Sequence, residues 1–134
     1  MTHSSLIRHV GAVLIAGAIP IGVHAATPAD LQAAYGALSG TTTIAPDRGQ
    51  QLFTIRHGRE WSCASCHGAV PTQAGKHAST GKPIAALAPA FNPERFVDAA
   101  KTEKWFRRNC NDVIGRECSA AEKADVIAWL RTLK

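Results

Sequence analysis

Residues 63 to 67 read Cys63-Ala64-Ser65-Cys66-His67. Two thiols three positions apart on a tight turn can both add to the vinyl groups of one haem, and the histidine that follows then falls under the iron as an axial ligand. The spacing therefore points to covalent attachment of a single haem c. Thioredoxin-like redox centres share the Cys-x-x-Cys spacing, but they stand in a βαβ setting, and this chain contains no strand pattern of useful length. A zinc site would need a second ligand pair at similar spacing. Cys110 and Cys118 lie eight apart, which disfavours that reading.

Working outward from the motif, the first 25 residues stand apart from the rest. MTHSSLIRH is a short cationic start, VGAVLIAGAIPIGV is an uncharged apolar run, and Val23 and Ala25 occupy the minus-three and minus-one places of a cleavage site. Residues 1–25 thus read as a secretory signal peptide, with cleavage expected before Ala26. The run is short and interrupted by Pro20, so it does not read as a spanning helix, although an uncleaved N-terminal anchor is the competing interpretation. The expected mature chain, residues 26–134, is one small periplasmic domain that is not embedded in the membrane.

Removing Arg8 with the signal leaves 14 basic against 10 acidic side chains, a net charge of +4. The cations are scattered and aromatic residues are few, so the pattern is a solvated surface and nucleic acid is not an expected partner. Export also sets the redox compartment, in which cysteines not used for a cofactor can pair stably.

The periodic segments flank a middle rich in Gly and Pro. Residues 28–40 read as a first helix with Pro28 at its start and Gly40 past its end. A short second helix is expected from Asp47 to Gly58, with Gly49 and Phe53 on one face, where glycine permits close approach of a partner helix. Residues 68–92 hold too many prolines and glycines for regular structure, and covering a bound group would account for so long a loop. Asn92 is expected to cap a helix with Pro93 in its first position and Phe96, Val97 and Ala100 on its apolar side. Thr102 restarts a helical turn that carries Trp105 and Phe106 toward Asn109. The last helix is clearest: Ser119 and Glu122 form a capping box, followed by Val126, Ile127, Trp129, Leu130 and Leu133.

The chain has a single methionine, Met1, which leaves with the signal. Histidine–methionine ligation, the usual arrangement in electron-carrying cytochromes c, is therefore ruled out. The residues alone leave the sixth ligand open among His57, His77, Lys76, Lys82, an asparagine, water or nothing. His57 lies six residues before Cys63, too short a connection to carry it around the haem edge. His77 sits in the covering loop, where it could ligate iron, bond a propionate or face water.

The motif at 63–67, the stretch KHASTGKPIAALAPAFNPERF and the block EKWFRRNCNDVIGREC followed by SAAEKADVIAWL together resemble the sphaeroides haem protein family of oxygen-binding cytochromes c. The resemblance runs from about Asp47 to Leu133. It implies a mostly α, class I cytochrome c-like domain wrapped around one covalent haem c, attached through Cys63 and Cys66, with His67 as proximal axial ligand. It further implies that Trp129 packs over Gly49 and Phe53 in the crossing of first and last helices that cytochrome c folds use, that Asn109 is the distal axial ligand, and that Cys110 and Cys118 form a disulfide. A short loop closed in this way should contribute about 2 to 3 kcal/mol.

The function that the resemblance implies is electron transfer coupled to reversible binding of a small diatomic ligand (O2, NO or CO) at ferrous iron, with a dihaem cytochrome c and a membrane cytochrome b as partners. No nucleophile and base arrangement is legible, so any enzymatic role would be oxygen or nitric oxide reduction. The rival reading is a plain electron-transfer cytochrome with His77 or a lysine as permanent sixth ligand. Lys82 and Trp105 are further candidate haem contacts, with Lys76 and His77 as candidate propionate partners. Arg107 and Arg108 read as solvated charges or as part of a docking face for an acidic redox partner.

Overall fold

The structure, a computed structural model, describes residues 26–40 and 43–134; the expected signal peptide lies outside them. Helix α1 spans Pro28–Ser39. Thr27 caps it by accepting from the Asp30 N–H, while the Asp30 carboxylate accepts from the Thr27 N–H, and Gly40 ends it in the left-handed conformation at φ 66°. Helix α2 spans Pro46–Thr54, shorter than expected, because Ile55 leaves helical geometry at ψ 157°. A single turn, α3, spans Ala64–His67 within the attachment motif. Two-residue strands β1 (Gly75–Lys76) and β2 (Pro83–Ile84) pair antiparallel inside the expected loop. Helix α4 spans Ala99–Val113 and α5 spans Ala120–Thr132.

Helix α5 is the centre of the fold. Its residues from Lys123 to Leu130 are all buried, and α1 and α2 make the most extensive packing against it. Gly49 allows α2 to approach so closely that a Cβ there would stand 2.1 Å from the Asp125 carbonyl oxygen. Phe53 and Trp129 meet across the same crossing with ring centroids 5.0 Å apart, as expected. Because α5 is enclosed on all sides, its polar residues need partners. The Asp125 carboxylate accepts from the Ala45 N–H at 2.7 Å and from Arg48 Nε at 2.8 Å. The capping box of Ser119 and Glu122 is present, and such a cap is worth about 1 kcal/mol.

The helix expected from Asn92 does not form. The Asn92 side chain is used in a turn, accepting from the Glu94 N–H and donating to the Ala86 carbonyl. Phe96 then adopts φ 61°, which interrupts any helix, and its ring enters the core at 9% exposure. Burial of the ring offsets a backbone cost of about 1 to 3 kcal/mol. Asp98 starts α4 instead, accepting from the Lys101 N–H, and the helix runs without a break through Asn109 and Cys110.

Candidate haem site

The motif folds as one helical turn. The N–H groups of Cys66 and His67 both donate to the Cys63 carbonyl, and Ser65 Oγ accepts from the Ser62 N–H. Cys63 and Cys66 are three residues apart on that turn and so share a side. Cys63 packs against the apolar cluster that contains Phe53, Phe96 and Trp129, and burial pushes its thiol up to about 11. A thiol so placed is not an ionised nucleophile of the thioredoxin kind. Cys66 Sγ accepts from the Ala78 N–H at 3.3 Å.

His67 lies 6.0 Å from Phe53 between ring centroids. Burial, with a smaller contribution from the Arg95 guanidinium, holds its imidazole down to about 4. The ring is therefore neutral at physiological pH, which is the form that ligates iron. Strand β1 rests on the backbone of the motif, since a Cβ on Gly75 would lie 2.1 Å from the Cys66 carbonyl oxygen and 3.0 Å from His67 Cα. Leu87 and Phe106 pack on the same apolar cluster as Cys63. Among the described residues no three His, Cys, Asp or Glu side chains converge as a metal site, so nothing here favours zinc. Paired thiols on one face, a neutral imidazole and apolar walls fit covalent haem c: Cys63 and Cys66 would form the thioethers and His67 the proximal bond.

Asn109 lies in the body of α4, half-buried, and not at a helix end. Among the described residues its side chain makes no hydrogen bond. The next residue, Cys110, is bonded to Cys118 with S–S 2.05 Å and Cα–Cα 5.7 Å. Trp105, one turn before Asn109, is 42% exposed with the Arg108 guanidinium 5.7 Å from its ring centroid. Arg107 and Arg108 are both exposed.

The two competing histidines are engaged elsewhere. His57 Nε2 donates to the Leu52 carbonyl at 2.8 Å. His77 Nδ1 accepts from the Thr80 N–H at 3.2 Å, which puts the proton of a neutral ring on Nε2 and leaves no free lone pair there. Lys76 and Lys82 are exposed at the β1–β2 hairpin, where the Lys82 carbonyl accepts from the His77 N–H. Sequence reasoning missed Arg95, which donates through Nε to Ala86 O and through Nη2 to Ala85 O and holds the covering loop beside His67. No local pattern marks it.

A family model described as a domain of unknown function (DUF1924) matches residues 39–130. Cytochrome c-type protein SHP of Cereibacter sphaeroides is 51% identical over 108 residues, covering 78% of this chain and 82% of the relative. The solved structure of oxidised SHP, described as an oxygen-binding cytochrome c, superposes with a TM-score of 0.72 at 49% identity, covering 79% of this chain and 96% of that one. The solution structure of cytochrome c'' from Methylophilus methylotrophus, a study of haem-ligand detachment, gives a TM-score of 0.65 at 35% identity, covering 78% and 92%.

Proposed function

We propose that this chain, which belongs to the family of the cytochrome c-type protein SHP and carries haem c, transfers electrons and reversibly binds a diatomic gas at a position gated by Asn109. The haem supplies a redox-active iron whose ferrous form takes O2, NO or CO wherever an axial position is free.

His67 contributes a neutral ring nitrogen from a turn that Phe53, Gly75 and Arg95 hold in place. Asn109 contributes a carboxamide oxygen, a hard and neutral donor that suits ferric iron better than ferrous. With the haem reduced, the amide would be held less tightly and the Asn109 side chain would be free to turn aside. The observation that carries this reading is the position of Asn109: half-buried in α4, without a hydrogen-bond partner among the described residues, and immediately before a bridged cysteine. The bridge restrains the backbone, so opening is left to side-chain rotation. Relatedness to an oxygen-binding cytochrome c supports the same reading.

Adding CO to the dithionite-reduced holoprotein tests it. Rapid and complete binding is expected, whereas a chain with a permanent sixth ligand would resist CO. Asn109→Ala should change the ferric absorption spectrum, and an unchanged spectrum would defeat the assignment. We place the protein in the periplasm, exchanging electrons with a dihaem cytochrome c and a membrane cytochrome b.

A further inference from the structure

Helix α4 is fastened to the N-terminal end of α5 on both sides of Asn109. Upstream, the Glu103 carboxylate accepts from Lys123 Nζ at 2.7 and 2.9 Å and from the Tyr35 hydroxyl at 2.8 Å. The Lys123 side chain is 9% exposed, and its ammonium lies 5.3 Å from the Tyr35 ring centroid. The Lys123 ammonium beside Glu103 holds its carboxyl below the usual carboxylate range, first through their hydrogen bonds.

Downstream, Cys110 is bonded to Cys118, which directly precedes the cap residue Ser119. Arg116, inside the loop that the bridge closes, forks onto Glu122 at 2.7 and 2.8 Å. The Lys123, Cys118 and Glu122 fastenings all fall on residues 118 to 123, and the Tyr35 hydroxyl adds one from α1. Glu103 precedes Asn109 by six residues, a rise of about 9 Å along the helix.

A buried ammonium is a poor source of stability, because an apolar side chain of similar size often does as well. Its charged hydrogen bonds do fix direction and register. We propose that Glu103, Lys123 and Tyr35 act as positioning residues for Asn109, setting the rotation and axial placement of α4 so that the amide meets the iron. This rests on Asn109 being the distal ligand, and it adds that the tightness of the gate is set from the far end of the helix. The helix does not swing; the triad and the bridge hold it while one side chain turns.

The test uses the ferric holoprotein with cyanide, which competes with Asn109 for the sixth position. Glu103→Gln removes the charge while keeping the size of the side chain, and Lys123→Met removes the cation. Each should raise the high-spin fraction of the ferric spectrum and tighten cyanide binding about threefold or more, with Tyr35→Phe giving a smaller change. Both effects should vanish when the same substitutions are made in the Asn109→Ala background, which a role confined to stability would not produce. If Lys123→Met does not fold, Glu103→Gln and Tyr35→Phe carry the comparison.

Equal tightening with and without Asn109 overturns the positioning role, as does no change in folded single variants. An Asn109→Ala protein with an unaltered ferric spectrum would defeat the ligand assignment and this inference together. An altered spectrum without coupling to Glu103 defeats the positioning role alone.

Discussion

Gly49 and Asp125 touch backbone to backbone, with room for a hydrogen where any other residue carries a carbon. Gly49→Ala would push its Cβ to 2.1 Å from the Asp125 carbonyl oxygen, and neither atom belongs to a flexible side-chain end. The helices must separate, which also loosens the 5.0 Å contact of Phe53 with Trp129. A loss of about 2 to 3 kcal/mol is expected in denaturant unfolding of the holoprotein. A variant as stable as the parent would show that the crossing is more open than described.

The pairing of Glu122 with Arg116 makes stability depend on acid pH. Hydrogen bonds from Arg116, then from the Ser119 N–H, hold the Glu122 carboxyl down to about 2, against an ordinary value of 4.5. A carboxyl with a lower pKa in the folded state stabilises fully above its unfolded value and loses that contribution as pH falls through the folded one. The midpoint of thermal unfolding should therefore fall between about pH 4.5 and 2 in the parent. Glu122→Gln should start lower at neutral pH, fall less over that interval, and meet the parent near its acid end.

Reducing the Cys110–Cys118 bridge should cost about 2 to 3 kcal/mol of stability, measured by denaturant midpoint with and without a strong thiol reductant. If Asn109 is the ligand, the ferric spectrum should also move toward high spin, since the residue before the bridge gains freedom. The Cys110→Ser, Cys118→Ser double variant should reproduce both changes without reductant.

The hydrogen bonds at His77 Nδ1 predict that His77→Ala leaves the ferric spectrum unaltered. A lost low-spin signature in that variant would establish His77 as the sixth ligand and favour the plain electron carrier.

Chain made without haem attachment should show little fixed helix by circular dichroism. The core of a domain this small is thin, and Cys63 packs directly on the apolar cluster that holds Phe53 and Phe96. A cooperative thermal transition in the apoprotein would contradict this.

Much of this was legible in the chain because the signals were local. The tight turn at 63–67, the Ser119–Glu122 cap and the Gly49–Phe53 face each depend on residues within a few positions of one another. The expected helix from Asn92 failed for the opposite reason: burial of Phe96 overrides a cap and a proline that locally favour helix. The packing of Trp129 on Phe53 was expected only from the helix crossing of cytochrome c folds, and polar partnerships across long separations were not legible at all. Tyr35 and Glu103 are 68 residues apart, and Arg48 and Asp125 are 77 apart. Neither pair belongs to a spacing that marks it in advance. Arg95 escaped notice because its partners are carbonyls, which every residue carries.

The enclosure of α5 sets an order on the making of the protein. The surface on which α1 and α2 rest, and to which Glu103 and Cys110 fasten α4, is supplied by residues 118 to 132, the last of the helices to be synthesised. A nascent chain that has emerged only as far as residue 67 holds none of the α4 and α5 partners of Phe53, Tyr35 or Gly49. We expect Cys63 and Cys66 to take up haem while the chain is still open. The finished domain, with β1 lying across Cys66, would then close around a cofactor already bound.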